Sequence, residues 1–212
     1  MTFVYLSGRR CLDFVGTVKH RASTREELLG NPQLLSDWAI QAGLLDAGIE
    51  VTDDDLAAAI ALREAIYRTV TARLEHRRPK LADVELLNEH ASRPQLTPRL
   101  DPTGAARREG TASRLLASLA ADLLDLLSGA DMDRVKGCAH PACSRLYVDS
   151  SRAKSRHWCG MGTCGNKAKV RAFRERQRAS ESGVPAAGSA QTKKLPAKAE
   201  SPAKSPGTNR GR

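Results

Sequence analysis

Aromatic residues and long apolar runs are both scarce in this sequence. Phe, Trp and Tyr together make up 4% of the 212 residues. No run reaches the roughly 18–20 consecutive apolar residues that a membrane-spanning helix needs, so an integral membrane protein is not expected. The N-terminal stretch MTFVYLSGRRCLDF also lacks a charged segment followed by a long apolar one, which is the pattern of a secretory signal. We therefore expect a cytoplasmic protein.

Signals of catalysis are missing as well. The sequence contains no nucleophile motif and no glycine-rich phosphate-binding loop. His20, His76 and His90 are scattered, and a lone histidine on a helix is usually a solvent-facing or satisfied core residue. Asp13 lies within an apolar run, where a helix cap or a buried hydrogen-bonding group is a better interpretation than a catalytic acid. We expect a protein that is not an enzyme.

Acidic residues become rare in the C-terminal part of the chain. Residues 1–133 hold 16 basic and 20 acidic residues, a net charge of −4, whereas residues 134–212 hold 18 basic and 4 acidic residues, a net charge of +14. Residues 180–212 have too little apolar surface to offset the entropy of ordering, so we expect a disordered tail that binds polyanions without sequence preference. Residues 134–178 carry 12 basic and 2 acidic residues around four cysteines, which indicates a structured segment with an anionic partner.

Residues 1–133 have the apolar periodicity and capping residues of a helical bundle. Asn31 followed by Pro32, and Thr52 followed by three aspartates, are typical of helix starts. Ser23–Glu27 contains overlapping capping-box patterns and predicts a further start. The predicted helices run from Pro32 until Gly43 stops the helix, from Asp53 to about Leu74, from Leu81 to Ala91 and from Ser113 to Ser128, with a loop or short hairpin over residues 92–112.

The five cysteines favour a metal site over disulfides, because thiols stay reduced inside the cell. Two pairs, each with a spacer of four residues and fifteen residues between the pairs, suit one tetrahedral structural Zn²⁺. The predicted ligands are Cys138, Cys143, Cys159 and Cys164. His140 and His157 lie inside the cluster and are the alternative ligands. Cys11 stands alone in an apolar stretch and is interpreted as a small core residue.

The cysteine-rich segment predicts a small treble-clef-like finger. Leu146–Val148 is prone to form a strand, and His157–Trp158 would form the returning arm of a hairpin. The pattern from Asn166 to about Arg178 is helical, so Cys164 lies at the helix start, where the helix dipole favours a thiolate. The expected fold is therefore mainly α, with a helical N-terminal domain, a small Cys₄ zinc finger and a disordered basic tail.

Basic side chains recur along one face of the finger helix. At 100° per residue, four of these side chains fall within an arc of about 40–60°: Lys167, Arg171, Arg174 and Arg178. Such a stripe of like charges is self-repulsive unless an anion lies opposite. Lys169 and Arg176 project from the other side, while Val170 and Phe173 lie on an adjacent face, available to pack on the hairpin. The candidate nucleic-acid contacts are the helix residues Asn166, Lys167, Arg171, Arg174 and Arg178, and the loop residues Arg152, Lys154 and Arg156.

The segment from Cys138 to Arg178 resembles the CGNR zinc finger. The resemblance is carried by LYVDSSR from Leu146, RHWCGM from Arg156 and CGNKAKVR from Cys164. The tetrad that names the family ends here in Lys167 instead of Arg, which keeps the charge but loses the bidentate hydrogen bonding of a guanidinium.

The N-terminal part resembles the ABATE domain that usually accompanies this finger. The resemblance is carried by LDFVGTV from Leu12, Trp38 with GLL from Gly43, LREAI from Leu62, and Leu87 with Asn88. Gly16 stands where the family usually has Asn. The two resemblances together cover about residues 8–178. They imply a stress-induced transcription regulator built from an ABATE-like domain (1–133), a CGNR-type finger (134–179) and the tail (180–212).

Residues and resemblance together favour a zinc-dependent regulator that binds duplex DNA and associates with the nucleoid when bound. An RNA-binding or protein-interaction zinc module is the alternative. The number of aromatic residues separates DNA binding from RNA binding, because single-stranded RNA is bound by stacking bases on exposed rings. The finger has only Tyr147, Trp158 and Phe173, and at least two of them are expected inside it, which argues against RNA. The N-terminal domain is compatible with sensing a small effector, forming a homodimer or only carrying the finger, and the sequence leaves these roles open.

Overall fold

Six α-helices and three short antiparallel hairpins make up residues 2–181, the part of the chain that the computed structural model describes. The helices are α1 (Arg10–Val15), α2 (Pro32–Gln41), α3 (Asp53–Leu74), α4 (Leu81–Ala91), α5 (Ala112–Ser128) and α6 (Asn166–Glu181). The strands are β1 (Val18–Lys19) with β2 (Glu26–Glu27), β3 (Arg99–Leu100) with β4 (Ala106–Arg107), and β5 (Val135–Gly137) with β6 (Leu146–Val148). A 3₁₀ turn precedes β5, and a π turn, Met161–Gly165, precedes α6.

The capping residues confirm two of the predicted helix starts. Asn31 Oδ1 accepts a hydrogen bond from the Leu34 amide at 3.1 Å, and Pro32 occupies the first turn of α2. Thr52 and Asp55 cap α3 reciprocally, because each side chain accepts from the other residue's backbone amide. The expected end of α2 is also confirmed, since the chain turns at Gly43 with a φ of 69°.

The prediction of a helix start in Ser23–Glu27 is wrong. Glu26 and Glu27 form β2, which pairs with Val18–Lys19. The Glu27 carboxylate accepts two hydrogen bonds, of 2.7 and 2.6 Å, from the fully buried guanidinium of Arg63 on α3. This long-range pairing offers Glu27 a stronger partner than a local cap would.

A core of aliphatic side chains lies between the helices. Helix α1, which the sequence patterns did not predict, is buried from Cys11 to Val15 and contacts α3, α5 and β6. Trp38 packs on Phe14 with ring centroids 5.0 Å apart. Cys11 is a core residue, as predicted, and its burial raises the pKa of the thiol well above the usual value.

Asp13, the acid within the apolar run, is also buried. Its Oδ1 accepts a hydrogen bond from the Ser7 amide at 2.9 Å, which confirms the interpretation as a buried hydrogen-bonding group. Desolvation raises the pKa of this carboxyl.

Residues 92–112 contain the expected hairpin, β3–β4. No helix within residues 2–181 combines the length and apolarity that crossing a bilayer requires. The helical core and all four clustered cysteines belong to one compact unit that continues to Ala172, and a second unit begins at Phe173. The predicted disorder of the tail concerns residues that, beyond 181, lie outside the described part of the chain.

Candidate metal centre and nucleic-acid interface

The four paired cysteines converge on one point. Their sulfur atoms all lie within 4.8 Å of one another, with Cys143 Sγ 3.8 Å and Cys164 Sγ 3.6 Å from Cys159 Sγ. A tetrahedral Zn²⁺ with Zn–S bonds of about 2.3 Å places its sulfurs roughly 3.8 Å apart. The distances and the donor chemistry therefore fit one structural Zn²⁺ bound by Cys138, Cys143, Cys159 and Cys164.

The two histidines inside the cysteine segment have other surroundings. Among the described residues, the group that could hold a metal contains only the four cysteines. His140 Nδ1 accepts a hydrogen bond from the Ala142 amide at 3.3 Å, and the exposed His157 contributes its carbonyl to the Ala139 amide at 2.9 Å. The closed set of four thiolates leaves no position for a reacting water, so this centre is structural.

Two short segments carry the cysteines. The first is the knuckle, residues 138–143, between β5 and β6, and the second is the turn at residues 159–164 before α6. Cys138 follows β5 directly, and the Cys143 amide donates to the His140 carbonyl at 2.8 Å, which reverses the chain before β6. Cys159 ends the long loop after β6, and Cys164 lies in the π turn that leads into α6. The Cys159 amide also donates to Cys138 Sγ at 3.4 Å, a hydrogen bond that joins the two cysteine pairs.

The expected pairing of Leu146–Val148 with His157–Trp158 is wrong. β6 pairs with Val135–Gly137, the strand immediately before the knuckle. Only a short loop separates β5 from β6, so their pairing costs little loop-closure entropy. His157 instead accepts a hydrogen bond from the Ala139 amide, in the loop between the first two cysteines.

Hydrogen bonds between the thiols couple the cysteines of the cluster. The hydrogen bond shared by Cys143 and Cys159 lowers the pKa of Cys159 and raises the pKa of Cys143. The sulfur atoms therefore lie close enough to share protons, as the four ligands of one metal ion must.

Arg156 supports the finger from inside. The Tyr147 side chain is fully buried and its hydroxyl donates to the Arg156 carbonyl at 2.8 Å. The Arg156 guanidinium stacks 4.3 Å from the centre of the Tyr147 ring and donates to the carbonyls of Trp158 and Cys159. This residue was a candidate nucleic-acid contact, and the structure places its guanidinium against the finger's own main chain.

Asp149 anchors the loop that carries the other candidates. Its buried carboxylate accepts hydrogen bonds from Lys136 Nζ at 2.7 Å, from both the amide and the hydroxyl of Ser151, and from the Arg156 amide at 2.9 Å. Desolvation opposes the charge, but these donors outweigh it and hold the pKa of Asp149 well below its usual range. The sequence showed only turn chemistry at this position, and the Asp-Ser-Ser run is the signal that could have indicated the network.

The remaining candidates are exposed. Arg152 and Lys154 lie on the anchored loop, and Lys154 adopts a left-handed φ of 48°. Asn166, Lys167 and Arg171 are exposed on the part of α6 in the first unit, and Arg174 and Arg178 are exposed in the second.

The apolar side chains of α6 do not follow the expectation. Val170 is 48% and Phe173 is 53% exposed. The buried centre of the finger consists instead of Tyr147 and the cysteines, with Trp158 packed against it.

A buried arginine, which sequence reasoning missed, joins the finger to the helical part. Arg145 donates to the carbonyls of Val4 at 3.0 Å and Gly16 at 3.5 Å and to Ser7 Oγ at 3.4 Å. The Val148 amide adds a bond of 2.7 Å to the Ser7 carbonyl. A Cβ at position 16 would lie 2.4 Å from the Arg145 guanidinium, so glycine provides the space for this contact. The signal in the sequence that could have indicated this close contact is Gly16, where the family usually has Asn.

Residues 8–130 match the ABATE family, described as "Putative stress-induced transcription regulator". The chain belongs to the ABATE family. Residues 134–177 match the CGNR zinc finger, which agrees with the four-cysteine centre found at those positions. No curated protein matches the sequence. This ABATE protein thus carries its metal centre directly after the helical domain.

Proposed function

We propose that this ABATE protein is a transcription regulator that binds duplex DNA through its zinc finger. The observation that supports the proposal is a set of exposed basic side chains on a scaffold fixed by four cysteines and Asp149. Residues 1–133 would act as the regulatory domain and residues 134–179 as the reader. Such a protein would work in the cytoplasm, at the nucleoid when bound to DNA.

The proposed contact surface consists of the anchored loop and the start of α6. Arg152 and Lys154 extend from the loop that Asp149 holds, and Lys167 and Arg171 extend from the first turns of α6. Lysine and arginine neutralise phosphates and release counterions, which supplies most of the sequence-independent affinity for DNA. The helical spacing in the sequence extends the same stripe to Arg174 and Arg178, and Asn166 adds a polar side chain at the helix start.

Two of the eight candidate residues should contribute to DNA binding differently from the others. Arg156 makes hydrogen bonds within the finger, so we expect its replacement to disturb folding more than DNA contact. Lys167 presents an ammonium where the family has a guanidinium, so we expect a phosphate contact there and no bidentate contact to a base.

The aromatic side chains favour a duplex over a single strand. Proteins that bind single-stranded nucleic acid stack successive bases on exposed aromatic rings. Tyr147 is fully buried and Trp158 is partly buried, which leaves Phe173 as the exposed ring among the three finger aromatics. One ring offers little stacking surface. RNA or a protein partner remains the outcome of a failed DNA experiment.

A salt titration tests the proposal on the full chain. For wild type, log K for duplex DNA should fall linearly with log salt, with a slope near −0.9 for each phosphate neutralised. The double variant Arg171→Ala/Arg174→Ala should bind more weakly and flatten the slope by roughly two units. The matched control is Lys169→Ala/Arg176→Ala, which removes the same charge from the opposite side of the helix. Equal slopes for the two double variants, or no duplex binding by wild type, would contradict the proposal that α6 contacts DNA through the face that carries Arg171 and Arg174.

A further inference from the structure

A cavity of about 400 Å³ lies beside the zinc centre, where the finger meets the β1–β2 hairpin. Both parts of the first unit contribute to its walls. The helical part provides Val4, Val18 and His20, and the finger provides His140, Cys164 and Lys167. The volume is within the range of about 300–1,000 Å³ that is usual for small-molecule sites.

The walls combine an apolar interior with a few polar groups. Val4 and Val18 line the cavity, together with three of the cysteines of the metal centre and the paired side chains of Lys19 and Glu26. His20 reaches across the junction, where its Nδ1 donates to the Ala142 carbonyl. The backbone of His20 is left-handed, with a φ of 51°, and two amides hold it by donating to its carbonyl. The hairpin tip is therefore fixed against the finger, and the cavity is formed in advance of any ligand.

The charges at the cavity leave one cation for a ligand. Lys19 pairs with Glu26 at 2.9 Å, and the Arg145 guanidinium is occupied by main-chain carbonyls and Ser7. Within the described part of the chain, Lys167 forms no ion pair. A bound molecule would thus meet aliphatic surface at Val4 and Val18 and the ammonium group of Lys167.

We propose that this cavity binds a small organic anion with an apolar body and one carboxylate, sulfonate or phosphate group. The anionic group would lie at Lys167, with His140 as a second polar contact, and the body would lie against Val4 and Val18. Because residues of both parts line the site, binding of the anion would depend on the position of the finger relative to the helical part.

A second cavity, beside Asp13, does not have these properties. Its volume is about 580 Å³, but its lining is mainly charged. Arg9 is already bound by Asp122 and Asp125, and Arg10 lies 4.0 Å from Asp13. These charges neutralise one another, so this cavity offers no unpaired cation to an anionic ligand.

Lys167 also belongs to the proposed DNA surface. An anion bound at Lys167 would compete with a phosphate there, so the ligand should weaken DNA binding. This consequence rests on the proposed function, whereas binding of the anion does not, and the experiment below contains no DNA.

The experiment uses the amphipathic anion anilinonaphthalene sulfonate and the zinc-loaded full chain. Amide chemical shifts are followed by NMR during a titration. We expect saturable shifts at Gly16, Val18 and Ser144. Val4→Phe should fill the cavity and abolish these shifts, and Lys167→Gln should weaken the apparent Kd about tenfold by removing the charge-assisted bond. Leu100→Phe, an enlargement of a side chain that is 75% exposed on β3, is the control and should bind like wild type.

Shifts confined to other residues, or unchanged binding by Val4→Phe, would overturn the proposal. Circular dichroism checks that each variant is folded. If Val4→Phe does not fold, the exposed Lys167→Gln variant and the location of the shifts decide the question, and an unchanged Kd for that variant counts against the site. A failure of the DNA titration would leave these results unaffected.

Discussion

The helical part and the finger of this ABATE protein are stabilised by different means. Helix α5 alone buries eight residues, all of them Ala or Leu, against α1, α3 and α4. The buried centre of the finger holds Tyr147 and two cysteines. Burial of apolar surface can stabilise the first, at about 25 cal/mol per Å², but the second has too little of it. The metal centre and a few buried polar contacts take that role in the finger.

Charge follows the same division. The helical part pairs many of its charges, for example Arg9 with Asp122 and Arg68 with Asp83. The finger uses Asp149 to fix a loop and presents Arg152 and Lys167 to solvent. The helical part thus pairs charges within itself, whereas the finger leaves exposed the basic side chains on which the proposed DNA contact depends.

Loss of the metal should have the largest effect and should separate the two parts. Structural zinc supplies on the order of 10–16 kcal/mol in small fingers, more than the finger's buried centre can replace. Cys159→Ser should therefore abolish zinc binding and give rapid amide exchange over residues 138–165, while α3 and α5 stay protected. Zinc content and hydrogen exchange measure this. Cys11→Ala is the control and should keep one zinc per chain, and zinc loss in that control would contradict the assignment.

A core truncation should have the converse effect. Leu119 on α5 has no exposed surface, and Leu119→Ala should lower the free energy of unfolding by about 2–5 kcal/mol through lost burial and a cavity. Denaturant unfolding gives the value, and zinc content should not change. Leu124→Ala on the same helix removes a side chain that is 37% exposed and should cost less than about 1 kcal/mol. Equal costs for the two variants would show that α5 does not pack as described.

The contact between the two parts should have an intermediate effect. Arg145→Met would leave the carbonyls of Val4 and Gly16 without their buried donor, at a cost of about 1–3 kcal/mol. Exchange of the Val148 amide, which donates to Ser7, should accelerate while zinc stays bound. Arg152→Met changes an exposed arginine of the finger and should leave that exchange rate unchanged. If both variants protect Val148 like wild type, Arg145 does not hold the finger in place.

Local signals in the sequence predicted local structure well. Asn31 and Thr52 act on amides three residues away, so their caps can be recognised without knowledge of the fold. The cysteine spacing predicted the metal centre for the same reason, because each short loop brings two sulfurs together. The resemblance to the family added the order of the two domains.

Contacts between distant residues could not be predicted in this way. Glu27 looks like part of a capping box, but its partner is Arg63, and Arg145 resembles a surface residue although it reaches Val4 and Gly16. The chemistry of such a residue depends on which segments meet. The pairing of β5 with β6 was missed because Val135–Gly137 is too short to show an alternating pattern.

Loss of the capping box of α3 should have the smallest effect, and it tests whether a change at one helix end leaves the finger unaffected. Thr52 Oγ1 accepts from the Asp55 amide at 3.1 Å, and Asp55 Oδ2 accepts from the Thr52 amide at 3.1 Å. Thr52→Ala removes one of these bonds and should lower the free energy of unfolding by about 1 kcal/mol. Thr52→Ser keeps the hydroxyl and should restore most of the loss, which denaturant unfolding can measure. Because the cap acts only on the first turn of α3, zinc content and exchange at Val148 should not change in either variant. A loss that Ser does not restore would mean that the Thr52 methyl group, and not its hydroxyl, stabilises the start of α3.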